Sequence, residues 1–337
     1  MAVGIVVVLL TLLGWSVTPL FIEHFTDSID GWTSNGWRYG FAALLWAPLL
    51  VGLRLNGKWP KGVMKAAIIP AAINGTAQIF FTMSFYEIDP AMVAFGLRAQ
   101  MVFTAAGAMV LFPSERAVIR SAGFLIGIGA VVVGTGGTVL FQPGGLSADG
   151  AGLGVTYAIL AGAGFAGYAL SVRKCMTGYG SMVSFAAISQ YTALIQVVLM
   201  LVLGERMGAG ALDLSASQFG ILLLSAVIGI AAGHVLYYMS IERLGVAVST
   251  GVIQLQPFTV AALSIPLMDD HLTLPQWGFG SVAVGGAIAM LWVQHAMRRK
   301  ATRERRASEA AEFRDLPPDH VAAAVVCEEA GEDGEVG

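Results

Sequence analysis

Three basic side chains, Arg38, Arg98 and His234, stand inside long apolar stretches of this 337-residue chain. A charge is costly to keep in such surroundings, so each marks a place where the chain binds something or is satisfied by polar neighbours. A guanidinium carries five N–H donors in a planar fork that matches a carboxylate or phosphate bidentately. Arg98, about midway along its stretch, is the best placed of the three to use that fork. An imidazole exchanges protons near neutral pH, which makes His234 a candidate proton relay. Gln78, Gln100, Gln190, Gln254 and Gln256 add amide donors and acceptors within the same stretches, and Trp15 and Tyr168 add aromatic surface. No Asp or Glu lies in the interior of a stretch; Glu23, Glu87 and Asp89 fall at ends. A cationic ligand therefore lacks a counter-ion, and the pattern favours an amino acid, an organic anion or another carboxylate- or phosphate-bearing molecule. The structural alternative is that these groups hydrogen-bond neighbouring helices, or that Arg38 reaches outward to headgroups.

Enzyme chemistry finds no foothold. H-E-x-x-H, G-x-S-x-G and G-x-x-x-x-G-K-[ST] are all missing, so metalloprotease, hydrolase and ATP-driven readings lack their signatures. Asp269, Asp270 and His271 are adjacent but have no further His or Cys partner, and are read as a solvated loop rather than a metal site. No cofactor, no metal and no nucleic-acid partner is expected. Cys175 and Cys327 are too few and too far apart for a disulfide framework.

The elements that position these residues follow from composition. With 56% hydrophobic and only 12% charged residues, the chain is far from a soluble domain, in which about a quarter of residues are charged. Ten apolar runs reach spanning length: residues 3–22, 34–53, 62–86, 90–112, 119–140, 150–172, 181–203, 217–241, 246–268 and 275–296. The first has no basic leader and is too long for a signal core. The expected fold is an all-α membrane protein of ten transmembrane helices.

Sidedness comes from the 19 Lys and Arg. Sixteen fall in alternate loops and the C-terminal tail, Arg206 alone falls in the opposite loops, and Arg38 and Arg98 lie within spans. The positive-inside rule then puts both termini in the cytoplasm, with the chain in an inner or plasma membrane as a multi-pass protein. RRKATRERR, from Arg298 on, extends the tenth span toward anionic headgroups, and the acidic residues 315–337 read as a disordered tail.

Shifted by 156 positions, FFTMSFYEIDPAMVAFGLRAQM (80–101) falls on LYYMSIERLGVAVSTGVIQLQP (236–257), which pairs Gln78 with His234, Arg98 with Gln254 and Gln100 with Gln256. Arg38 pairs more weakly with Gln190. The repeating unit is five helices, an odd number, so the second copy starts from the opposite side. Two inverted-topology five-helix repeats result, the arrangement that puts a ligand site near the midplane. The expected organisation is repeat one at 1–145, repeat two at 146–297 and a tail at 298–337.

GWSVTPLF, WRYGFAALLWAPLL, FPSER and YYMSIERLGVAVSTGVIQLQPFTVAALSIPLMDDHLTLPQWGFG, in this order and spacing, resemble the ten-helix EamA-type carriers of the drug/metabolite transporter superfamily. The resemblance spans about residues 3–295 and implies a secondary carrier of small metabolites, often an exporter, working by alternating access. It departs from the family pattern at Met101, where a proline is usual, while Pro257 is kept. Two further readings remain open: proton-coupled efflux of cationic compounds, and a channel or non-transport membrane protein. A monomer or homodimer in the bilayer is expected.

Pro19 and Pro257, read as lying inside the first and ninth spans, are candidate hinges. Gly123, Gly127 and Gly129 in the fifth span, and Gly278, Gly285 and Gly286 in the tenth, suggest close helix crossing or a dimer contact. The topology is directly testable. A reporter fused after Gly337 is expected in the cytoplasm and one inserted at 142–149 outside; finding both on one side would sink the ten-span count.

Overall fold

The computed structural model describes residues 2–113, 116–141, 151–244, 249, 252–268 and 272–314, and all their regular elements are helical. In chain order these are α1 (Ala2–Glu23), α2 (Gly31–Leu55), α3 (Val63–Ser84), α4 (Pro90–Gly96), α5 (Gln100–Leu111), α6 (Arg116–Ile119), α7 (Ala122–Leu140), α8 (Ala151–Cys175), α9 (Ser181–Leu203), α10 (Ala216–Ala226), α11 (Gly233–Leu244), α12 (Gln256–Met268) and α13 (Leu274–Arg314). A 3₁₀ turn, Leu97–Ala99, joins α4 to α5, and a π-helical turn, Val227–Ala232, joins α10 to α11.

Eight helical stretches among the described residues are long and apolar enough to cross a membrane. The fifth and ninth expected spans correspond to shorter apolar helices, Ala122–Thr138 and Gln256–Met268. The ninth is short because the chain breaks at Gln254 and Leu255, just ahead of α12. That break also corrects the expectation for Pro257. It stands in the first turn of α12, where the missing N–H would have no intrahelical acceptor, rather than inside a continuous helix. Pro19 does lie inside α1. Compact packing divides the chain into Met1–Leu291 and Trp292–Gly337; the second unit is described only to Arg314, as the continuation of α13 through the basic stretch. The expected tail disorder and the Asp269–His271 loop lie outside the described residues.

Local chemistry starts several of the helices. Asp30 caps α2 by accepting from the Thr33 amide, Ser215 and Gln218 form a reciprocal capping box on α10, and Thr273 with Gln276 does the same for α13. Side-chain distribution then runs opposite to that of a water-soluble bundle. Leu44, Val110, Ile126, Val202 and Leu267 stand exposed, while Asn35, Thr82, Thr192 and Gln196 are fully buried. Such an outer surface suits lipid rather than water, and interhelical hydrogen bonds supply the interior cohesion that lipid cannot.

Within the first unit the two halves of the chain interleave. α3 lies along α8 and also meets α9; α1 lies along α11 and also meets α12; α4 and α5 pack on α8, α10 packs on α2, α2 pairs with α9, and α4 pairs with α12. α7 crosses α13 closely, through Gly127 and Gly286 of the expected set together with Gly134. A Cβ on Gly286 would stand 2.7 Å from the Gly127 carbonyl oxygen, and one on Gly134 would meet the backbone of Phe279 and Ala283. Gly129, Gly278 and Gly285 face open space. Gly134→Leu should therefore destabilise by about 1–3 kcal/mol, since backbone cannot yield to the new side chain. Gly129→Leu should leave the melting temperature nearly unchanged. Equal melting temperatures for the two variants would remove this crossing from the stabilising contacts.

Candidate functional site

Arg98 occupies the 3₁₀ turn Leu97–Ala99 in the middle of its span and is 5% exposed. Tightening the helix there re-aims the side chain across the interface with α12, and short 3₁₀ segments in mid-helix often mark functional hinges. Its Nε donates to the Ala94 carbonyl at 3.2 Å, Nη1 to Gln254 Oε1 at 2.8 Å and Nη2 to Gln256 Oε1 at 3.3 Å. All three acceptors are neutral. Of the five donors a guanidinium offers, two have no acceptor among the described residues, and no carboxylate among them pairs with Arg98. Arg98 and Gln254 are 156 positions apart, the offset at which the sequence aligns with itself. Both stand at helix interruptions, so these bends occur even though Met101 replaces the usual proline.

Gln256 carries the network to α1. Its Nε2 donates to the Trp15 carbonyl at 2.8 Å. That carbonyl is available because Pro19, four residues on, has no N–H to bond it. A helix-interior proline thus supplies a backbone acceptor next to a buried cation. Ser16, the neighbour of Trp15, shares a short hydroxyl–hydroxyl bond with Thr259 of α12.

The Trp15 ring faces the other way, onto helix α11. Its centroid lies 5.5 Å from His234, edge-on, and 5.0 Å from Tyr237. His234 stacks on Phe185 with centroids 4.7 Å apart. Three successive carbonyls of the π turn each take a ring N–H: Gly229 from Trp15 Nε1 at 3.2 Å, Ile230 from His234 Nδ1 at 3.1 Å, and Ala231 from Trp46 Nε1 at 3.2 Å. Since a carbonyl only accepts, the His234 proton sits on Nδ1. A π turn widens the helix and shifts its carbonyls out of α register, and aromatic donors from α1 and α2 fill the places thus opened. Tyr168 faces Tyr238 next to this cluster.

The remaining expected residues lie elsewhere. Gln78 belongs to a polar seam along α3, where its Nε2 reaches Asn74 Oδ1 at 3.5 Å and its carbonyl accepts from Asn35 Nδ2. Asn35 Oδ1 accepts from Thr82 at 2.7 Å, Asn74 donates to Thr192, and Gln196 donates to the Gly75 carbonyl. Gln190 ties α9 to the Ala43 carbonyl of α2. Arg38 donates from Nε to Ser225 Oγ at 2.9 Å. Gln100 makes no side-chain hydrogen bond among the described residues. The structure therefore joins Arg98, Gln254, Gln256 and Trp15, with His234 one ring away, and leaves Gln78, Gln100, Gln190 and Arg38 outside that network. Sequence reading missed Asn35, Asn74, Thr82, Ser225 and Trp46. The signal for two of them was present, since Asn74, Gln78 and Thr82 recur every four residues in an otherwise apolar run.

Residues 152–292 match the EamA-like transporter family. A solved structure described only as "Crystal structure of protein" shares the fold with a TM-score of 0.58 and 14% identity, over 88% of this chain and 99% of its own. At that identity the likeness speaks for the fold alone. No curated protein matches the chain.

Pro19→Ala tests whether the proline is what frees the Trp15 carbonyl. A proline inside a helix costs about 3 kcal/mol against alanine, whereas the Gln256 bond contributes about 0.5–1.5 kcal/mol. The variant should melt higher, and its structure should show α1 straightened and Gln256 turned away from Trp15. Gln256 unmoved on Trp15 would mean that the carbonyl serves both donors and the proline is dispensable.

Proposed function

From the premise that this chain carries an EamA-like transporter domain at residues 152–292 and is a multi-pass membrane protein, we propose that it is a secondary carrier of small carboxylate- or phosphate-bearing metabolites, amino acids and organic anions among them. The carrier works by alternating access, with Arg98 as the anion-binding residue. One observation carries this reading: among the described residues, Arg98 is a buried cation held only by two amide oxygens and a carbonyl. Neutral acceptors hold the guanidinium in place without cancelling its charge, so a ligand carboxylate or phosphate gains a charge-assisted, bidentate partner that water does not supply at this depth. Gln254 and Gln256 aim the fork and compete for it. Efflux of cations is disfavoured by the same charge, because no carboxylate lies within the interior of a span.

Ten spans in two inverted repeats, with both termini in the cytoplasm, are part of the proposal. Packing supports them. Moving every contact five spans along the chain turns the third-on-sixth pair (α3 on α8) into the eighth-on-first pair (α11 on α1), and the fourth-on-sixth pair (α4 and α5 on α8) into the ninth-on-first pair (α12 on α1). The third-on-seventh contact (α3 with α9) likewise becomes the eighth-on-second contact (α10 with α2). A bundle whose contacts exchange in this way has two arrangements of similar energy, one facing each side, which alternating access requires.

The reading is tested at the cation. A thermal-shift panel of amino acids and organic acids on purified protein, followed by counterflow in liposomes, identifies a substrate. Arg98→Gln should then lose about 1.5–3 kcal/mol of binding, the range for a hydrogen bond to a charged group, and Arg98→Lys should recover only part of it. Gln254→Glu sets a carboxylate 156 positions from Arg98 where the amide oxygen now lies; it should keep the fold and abolish binding by occupying the fork. A folded Gln254→Glu protein that binds its anion as tightly as wild type would falsify the assignment.

A further inference from the structure

Arg38 lies seven residues into α2, about 10 Å from that helix's first residue at 1.5 Å per residue. It is 3% exposed, yet among the described residues it has one hydrogen-bond acceptor, Ser225 Oγ, which takes Nε. Ser225 is fixed in turn by donating to the Leu222 carbonyl at 2.6 Å. The terminal pair, Nη1 and Nη2, donates to no described residue. These are the donors whose parallel N–H bonds suit an oxyanion. The phenols of Tyr39 and Tyr86 lie near Arg38, and Tyr86 in turn lies near Asp30 and Glu23.

A second unmatched group shares the same helix face. Ser34, one turn earlier on α2, is fully buried and its Oγ has no partner among the described residues. Positions i and i+4 of a helix lie one above the other. Leaving a buried cation with most of its donors unused, beside an unpaired hydroxyl, is unfavourable unless a further acceptor joins them. A carboxylate, phosphate or sulfate provides such an acceptor, with one oxygen pair for the guanidinium and a lone pair for the hydroxyl.

We infer that Ser34, Arg38 and Ser225 form a second oxyanion site, separate from Arg98 and nearer the outer end of the bundle. The inference rests on the carrier reading for its purpose, since a cation on the outer approach gives an anion a resting point before or after the Arg98 site. Its existence as a binding site does not depend on that reading. The two stations have different holding geometry. Arg98 has both Nη atoms engaged by amides that a ligand must displace or share, whereas the Arg38 Nη pair meets no acceptor among the described residues.

Equilibrium dialysis of radiolabelled sulfate against the purified full-length protein counts the sites. Two sulfate equivalents are expected for wild type, one for Arg38→Gln and one for Arg98→Gln. Arg38→Lys retains the charge and guards against a folding defect; it should weaken one equivalent about tenfold while sparing the other. Ser34→Ala should weaken that same equivalent. An Arg38→Gln protein that still binds everything wild type binds overturns the second site, whatever Arg98→Gln does. If Arg38→Gln loses one equivalent and Arg98→Gln loses none, the second site stands and the Arg98 assignment fails, so the two readings fail separately.

Discussion

A buried guanidinium satisfied by neutral oxygens is the constraint around which the centre of this protein is arranged. Arg98 needs acceptors for its donors in an apolar bundle, yet no described carboxylate is there to supply them. Amide oxygens from Gln254 and Gln256 resolve the conflict. They need a backbone that presents both side chains to the same point, which accounts for the break at Gln254 and Leu255. They also need something to hold the far end of Gln256, which the Trp15 carbonyl does. That carbonyl is free because of Pro19. One cation therefore fixes the local geometry of α1, α12 and the α4–α5 junction together.

The same bonds bear on motion. Arg98 and Gln254 belong to opposite halves of the chain, so separating α4 from α12 requires their bond to break. In the proposed carrier, an anion at the guanidinium would compete for the same N–H donors and weaken that tie, coupling occupancy of the site to freedom of the two broken helices. The π turn at Val227–Ala232 is a second place where a helix departs from α register, and it is held by indoles from α1 and α2 rather than by its own ladder. Neither departure is a defect of packing. Each is stabilised by a specific donor from another helix.

Much of this was legible in the chain itself. Hydropathy placed α9 at residues 181–203, the span the structure gives, because Gly180 and Gly204 bound the predominantly apolar run on either side. Self-alignment at 156 positions put Arg98 with Gln254 and Gln100 with Gln256, and the first pair is in contact. It could not say that Gln100 would stay out of the network while Gln256 entered it. Similar depth does not determine which face a side chain takes once the helix turns to 3₁₀ geometry. Pro257 was misplaced for a related reason. A proline in an apolar run reads equally as a kink within a helix or as a first-turn residue after a break, and the break itself carries no residue type that announces it.

What stayed hidden depends on tertiary partners. Nothing in VIGIAA signals a π turn, because the sequence there is as good an α-helix as its neighbours; the extra residue is accommodated only because Trp15 and Trp46 arrive to take the displaced carbonyls. The seam from Asn35 to Gln196 likewise needs α2, α3 and α9 to meet before its hydrogen bonds exist. Buried amides and hydroxyls that pair largely across helices favour assembly of these three together, since a helix standing alone would leave polar groups unpaired in lipid. Specificity of helix association thus comes from the polar minority of the sequence, while its apolar majority decides only that the helices lie in a membrane at all.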